Sequence, residues 1–327
     1  MFVIFILTAG FALGYAGAWI VMRYGAWFGT IDTPNSRSSH FQAVPKGAGL
    51  GILATMMLSA LVLKIPWFVW LPALVISLAS FWGADKYIWP VSARLAMHFA
   101  CSLVFVFFLL YFRQADSAVF LVCLPAMVFI AGTANFFNFM DGIDGIAGIT
   151  GFLAFVMVAF YARLLGTDMA VPWLSLAIAF SCLGFLCFNF PKAKVFLGDV
   201  GSILLGFVFA CLIVFLSESF LDFLVMAGFL APFYFDEIYT MVVRIRDKDV
   251  LVKPHRKHIY QLLANEGGIG HWKISLGYGS LQVFVGLAAI WIHSMGLFWL
   301  LGFYAFCGVT FAALFIIIRK KVVVSEN

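Results

Sequence analysis

The amino-acid sequence predicts an all-α, polytopic membrane protein with about 10–11 transmembrane helices in one integral domain over residues 1–327. Three observations carry this expectation. Hydrophobic residues make up 64% of the chain and charged residues 11%, whereas soluble domains hold roughly 45–50% apolar and about 25% charged residues. A water-soluble fold is thereby excluded. The apolar residues gather into runs close to the length of roughly 20 that a spanning helix needs. The segments between runs alternate between basic and nearly uncharged.

Taken in order, the runs place spans at 2–22, 48–63, 67–82, 95–112, 119–137, 145–163, 172–190, 202–217, 223–241, 274–294 and 297–318. The first has no Lys or Arg before Arg23 and no small-residue cleavage site, so it is expected to stay as a membrane helix rather than be removed as a signal peptide. The six cysteines lie within apolar runs and form no CxxC pair, which reads as packing rather than metal or redox chemistry. The longest polar stretch, residues 242–273, separates spans nine and ten.

Orientation follows from charge, because Lys and Arg beside a span resist translocation. Of the 20 Lys and Arg residues, only Lys64, Arg113 and Arg163 fall in one set of loops. The basic set, which includes the C-terminal Arg319, Lys320 and Lys321, is expected on the cytoplasmic side of the membrane and the N-terminus on the outer side. The net charge of +5 then reads as a topology signal, with no nucleic acid implied.

Five loops on the basic side carry the polar chemistry. The first, from Asp32 to Gly49, supplies Arg37, His40 and Lys46 among turn-forming Pro and Gly; it reads equally as a phosphate cradle or a plain positive-inside loop. The second, Asp85-Lys86 through Arg94, reads alone as a cluster of charges at a helix end. The third places Asn135, Asn138, Asp141 and Asp144 at intervals of three residues, with Gly142 and Gly145 between them. A helical turn would present several of these oxygens along one side, and burying four such groups for packing alone is costly. In the fourth, Asp199 stands between Gly198 and Gly201, either as a helix cap or as an oxygen ligand for Mg²⁺. The fifth holds His255, Arg256 and His258, donors suited to a diphosphate, or to anionic lipid in general. Together they describe ligands for a hard cation and a basic clamp for phosphate beside an apolar surface.

At these loops the sequence resembles the polyprenyl-phosphate N-acetylhexosamine-1-phosphate transferase family. The pattern D-x-P-N-x-R-x-x-H-x-x-x-x-P is met by Asp32, Pro34, Asn35, Arg37, His40 and Pro45, and N-x-x-N-x-x-D-G-x-D-G by Asn135, Asn138, Asp141, Gly142, Asp144 and Gly145. The resemblance implies transfer of a sugar-1-phosphate from a UDP-N-acetylhexosamine to undecaprenyl phosphate at the cytoplasmic face. It implies Mg²⁺, or Mn²⁺ in its place, on Asp199 and Asn138, uracil near Asp144, and diphosphate near His255, Arg256 and His258. Asn135, Asp141, Arg37, His40, Lys46 and Arg94 are expected among the substrate-binding residues, and Asp85 is expected to orient the acceptor or a water. The wording around His255 is more similar to the O-antigen-initiating type than to the muramoyl-pentapeptide transferases, so N-acetylglucosamine or a 6-deoxy relative such as FucNAc or QuiNAc is the expected sugar. Members often dimerise, which puts a homodimer among the expected assemblies. One position departs from the pattern: Ala84 stands where the family carries the first of two consecutive aspartates. That departure keeps open a chain that binds UDP-sugar or lipid without turnover. A transporter predicts polar groups near mid-span and on both sides, and the one-sided clustering argues against it.

Overall fold

The computed structural model describes residues 2–34, 39, 42–86, 89–114, 121–250 and 255–325, with the side chains of 2, 84–86 and 322–325 outside the described set. The chain folds as a helical bundle. Its helices are α1 (Phe2–Phe28), α2 (Gly49–Val62), α3 (Trp67–Ser80), α4 (Val91–Phe112), α5 (Cys123–Phe139), α6 (Ile146–Leu164) and α7 (Ala170–Asn189). There follow α8 (Asp199–Leu216), α9 (Phe220–Ala227), α10 (Ala231–Arg246), the single turn α11 (Ile259–Gln261), α12 (His271–His293) and α13 (Leu297–Ser325). Among the described residues, seven helices are long and apolar enough to cross a membrane, and three shorter apolar ones, Gly49–Val62, Trp67–Gly83 and Cys123–Phe139, accompany them. The all-α, polytopic expectation is met.

The differences have local causes. The ninth span is not one helix: α9 and α10 are separated by a 3₁₀ turn, Gly228–Leu230. Pro232, in the first turn of α10, has no amide hydrogen and a fixed φ, which suit the start of a helix. The stretch 242–273 is only partly loop, because α10 continues to Arg246, where buried Arg244 turns back and donates to the Val250 carbonyl at 2.8 Å. Two very short strands were not foreseen: Ile31–Asp32 pairs antiparallel with Val44–Pro45.

The centre of the bundle is α8, whose residues from Val200 to Ile213 are all buried, as expected for a helix apolar on every side. It packs against α2, α3, α5 and α6. Where α2 crosses α8 the backbones touch, since a Cβ added to Gly49 would lie 2.2 Å from the Gly201 Cα; small residues permit this approach inside membrane bundles. Outer helices expose large apolar side chains, among them Trp291, Phe298, Trp299 and Phe306, a surface suited to acyl chains.

Candidate active site

At the end of the bundle where α1 meets α2, α5 meets α6, α7 meets α8 and α10 meets α12, the connecting segments enclose a cleft of about 280 Å³. It is lined by Asp32 and Lys46, by Asn138, Asp141 and Asp144, by Asn189, Phe196, Gly198 and Asp199, and by Gln261 and His271. The first and fourth loops are stitched by backbone: the Phe196 amide donates to the Pro45 carbonyl at 2.8 Å and the Gly49 amide to the Leu197 carbonyl at 2.9 Å. Two separate motifs of the sequence thus share one wall.

Asp199 opens α8 behind Gly198, whose φ of +75° suits glycine. Across from it, in the last turn of α5, the Asn138 amide donates to Asp199 Oδ1 at 3.1 Å and to Ser202 Oγ at 2.8 Å. Arg94 at the start of α4 stands 3.5 Å from Asp199 Oδ2. Asp144 is held by the N-terminal end of α12: Ser275 Oγ donates to its carbonyl at 2.8 Å, and His271 Nδ1 lies 3.2 Å from its carboxylate. The following residue is fixed as well, because the Gly145 amide donates to Asn189 Oδ1 at 2.8 Å while Asn189 Nδ2 donates to the Val195 carbonyl at 2.9 Å. A second cavity of about 460 Å³ continues past Asp144, His271 and Phe196 to Gln42, Val44 and the Pro191-Lys192-Ala193 turn.

The fifth loop reaches the cleft through Gln261. Tyr260, fully buried, donates through its hydroxyl to the Phe139 carbonyl at 2.9 Å, and a Cβ on Gly142 would lie 2.2 Å from that hydroxyl. The glycine is therefore needed for close approach. Arg256 pairs with Glu266 at 3.9 Å. Burial, then the positive charges of His258 and Arg244, push the His255 imidazole down to about 4.

Four residues expected at the site take other places. His258 is 2% exposed and is not among the cleft-lining residues; it sits 3.4 Å from both Asp236 and Glu237 of α10. Burial lowers its pKa, but the hydrogen bond and charge of Asp236, with Glu237, more than offset this and hold it above the ordinary value. Asn135 points into the α4–α5 contact, where its amide meets His98 Nδ1 at 2.8 Å and donates to the Ala131 carbonyl. Neither His255 nor Arg256 lines the cleft in the described residues. Arg37, His40 and the Asp85 side chain lie outside the described residues. Sequence reasoning passed over Asn189, His271, Asp236 and Glu237. Two adjacent carboxylates inside an apolar run were the available signal for the last pair; His271 and Asn189, single polar residues at helix ends, offered none.

Among the described residues no three His, Cys, Asp or Glu side chains converge to enclose a metal ion. One carboxylate and one carboxamide, Asp199 and Asn138, do fit Mg²⁺, which keeps several waters and commonly bridges one or two carboxylates to substrate phosphates.

Residues 66–217 match the model of the family described as Glycosyl transferase family 4. The chain is 26% identical over 260 residues to the probable undecaprenyl-phosphate N-acetylglucosaminyl 1-phosphate transferase of Bacillus subtilis (strain 168), covering 75% of this chain and 72% of that protein. It is 27% identical over 250 residues to the undecaprenyl-phosphate alpha-N-acetylglucosaminyl 1-phosphate transferase of Thermotoga maritima, covering 75% and 76%. A shorter stretch of 117 residues is 30% identical to the phospho-N-acetylmuramoyl-pentapeptide-transferase of Staphylococcus epidermidis, covering 35% and 34%. The matched segment 66–217 contains Arg94, Asn138, Asp141, Asp144 and Asp199, so the part of the chain that is similar to the Glycosyl transferase family 4 model is also the part that builds the acidic wall of the cleft.

Proposed function

We propose that the protein transfers a sugar-1-phosphate from a UDP-N-acetylhexosamine to undecaprenyl phosphate at the cytoplasmic face of a bacterial inner membrane, giving a polyprenyl diphosphate sugar and UMP. The observation that carries this reading is the convergence of Asn138, Asp141, Asp144 and Asp199 with Lys46 in one cleft at one end of an apolar bundle. Such a site meets a charged nucleotide from water and a lipid phosphate from the bilayer. The two relatives similar over 75% of the chain are described as acting in N-acetylglucosaminyl 1-phosphate transfer, which favours N-acetylglucosamine over the 6-deoxy sugars and leaves an O-antigen role as part of the proposal.

In the proposed reaction an oxygen of the lipid phosphate attacks the β-phosphorus, the bond from that phosphorus to the oxygen bridging the α-phosphate breaks, and UMP leaves with the electron pair. A phosphate monoester has a second pKa of about 6, so the acceptor is largely dianionic at neutral pH and needs little help from a base. The chain's task is then positioning and charge. Mg²⁺ or Mn²⁺, when bound, would neutralise negative charge on the phosphoryl oxygens; Asp199 and Asn138 would hold it. Lys46 brings a cation to the same cleft. Asp144, fixed by His271 and Ser275, is offered to the uracil side, and His255 and Arg256 to the diphosphate.

The test is UMP release from UDP-N-acetylglucosamine by purified protein with undecaprenyl phosphate and Mg²⁺. Release that needs lipid and Mg²⁺ and is lost in Asp199→Asn supports the proposal. Ala84 favours a second reading, binding without turnover. UMP released only by the Ala84→Asp protein would identify a disabled enzyme, and none from either protein would favour the silent binder.

A further inference from the structure

We propose that Asp236, a carboxylate buried in α10, is a positioning residue for the basic loop: through His258 it fixes where His255 and Arg256 stand, and so sets the affinity for the donor's diphosphate. The inference rests on the reading above and adds residues to it. Asp236 is 0% exposed, and a carboxylate buried among membrane helices is expensive unless partnered, so its presence asks for a reason. Its partners all belong to the elements that frame the loop. Oδ1 accepts the Ile259 amide at 3.0 Å, and Oδ2 accepts the Tyr278 hydroxyl of α12 at 2.6 Å and the Tyr260 amide at 3.4 Å. His258 Nδ1 stands 3.4 Å from Oδ1, with the other ring nitrogen 3.4 Å from Glu237.

One carboxylate therefore joins α10, α12 and the first turn of α11. It accepts the two buried amides at the start of that turn, which have no carbonyl partner within the turn itself. The neighbouring Tyr260 then reaches the Phe139 carbonyl, at the end of the helix that carries Asn138. The His258 and His255 rings lie with centroids 4.9 Å apart, so a displaced His258 moves His255, the residue proposed for the diphosphate. This gives His258 a different task from the one its sequence suggested: it is the buried post to which the loop is tied.

The experiment compares the parent with Asp236→Asn, His258→Gln and the double variant in the full-length protein in detergent or nanodiscs. It measures KM for UDP-N-acetylglucosamine, KM for undecaprenyl phosphate, kcat, and hydrogen exchange at the Ile259 and Tyr260 amides. The expected result is a donor KM raised about tenfold in each single variant, a lipid KM within about twofold of the parent, and faster exchange at both amides. The double variant is expected to be no worse than either single one, because residues acting as one unit are not additive. A merely structural role would lower the amount of folded protein and leave the donor KM unchanged. Unchanged donor KM and exchange in Asp236→Asn, or additive effects in the double variant, overturn the inference. If Asp236→Asn does not fold, His258→Gln carries the same comparison. Absence of turnover in both the parent and its Ala84→Asp form would instead count against the transferase reading, and the exchange measurement would still decide whether Asp236 holds the loop.

Discussion

Replacing Gly142 with alanine sets the two halves of the site against each other. The added Cβ would lie 2.2 Å from the Tyr260 hydroxyl and 3.0 Å from ring atoms Cε2 and Cζ, where ordinary apolar contact begins near 3.5–4.0 Å. Tyr260 is fully buried and bonded to Phe139, so its ring has no room to swing and the two loops must part by roughly 1 Å. Overpacking of this kind costs about 1–3 kcal/mol, and losing the Tyr260–Phe139 hydrogen bond adds about 1 kcal/mol. Thermal unfolding of the purified protein should report a loss on the order of 2–4 kcal/mol. Displacing Asp141 and Asp144 by such a distance should lower kcat/KM for UMP release about 100-fold. Adding Tyr260→Phe removes the nearest atom and should recover part of both losses. A Gly142→Ala protein as stable and active as the parent, or a double variant no better than the single, would refute the reasoning.

Three further outcomes follow from the same geometry. Asn189→Ala removes both hydrogen bonds that hold Gly145 and Val195 and leaves a buried amide without its acceptor, so denaturation should show a loss of about 1–3 kcal/mol together with a raised donor KM. Gly49→Ala meets the Gly201 backbone, which cannot yield as a side chain would, and should reduce the yield of folded protein more than Gly302→Ala, where no atom lies within 4 Å of the added Cβ. His255 is held down to about 4, so in the free protein it is neutral near pH 7. A diphosphate beside it favours the charged form, donor binding takes up a proton, and the donor KM should fall as pH is lowered from neutrality, a slope lost in His255→Gln. The sign for stability is opposite: below the ordinary value of 6.5 the unfolded chain binds this proton more readily, so folding stability from this group declines as pH falls from 6.5 toward about 4.

Much of the fold was legible because its cause is local. Apolar runs of membrane length mark helices, and each of the eleven runs has helical structure at its place. Asn138, Asp141, Asp144 and Asp199 stood out as costly oxygens at helix ends, and the structure puts all four on one cleft. What escaped depends on contacts between distant segments. Strands of two residues have no periodicity to read, so the pairing of Ile31–Asp32 with Val44–Pro45 leaves no local signal. Asn135 shares the three-residue spacing of its neighbours, yet one turn deeper it faces His98 of α4. The histidines of the fifth loop look alike in sequence; only the path of α10 buries His258 against Asp236 and Glu237. The same pair was absorbed into an apolar run whose break is signalled by Pro232 alone.

The central claim is that the bond broken lies between the two phosphates of the donor, and isotopic tracing tests it most directly. UDP-N-acetylglucosamine labelled with ³²P at the β-phosphate would be incubated with the protein, undecaprenyl phosphate and Mg²⁺, and the lipid extracted. The account predicts that label enters the lipid as a diphosphate-linked sugar while the nucleotide leaves as unlabelled UMP. Label retained in UDP, with sugar alone passing to the lipid, would contradict it.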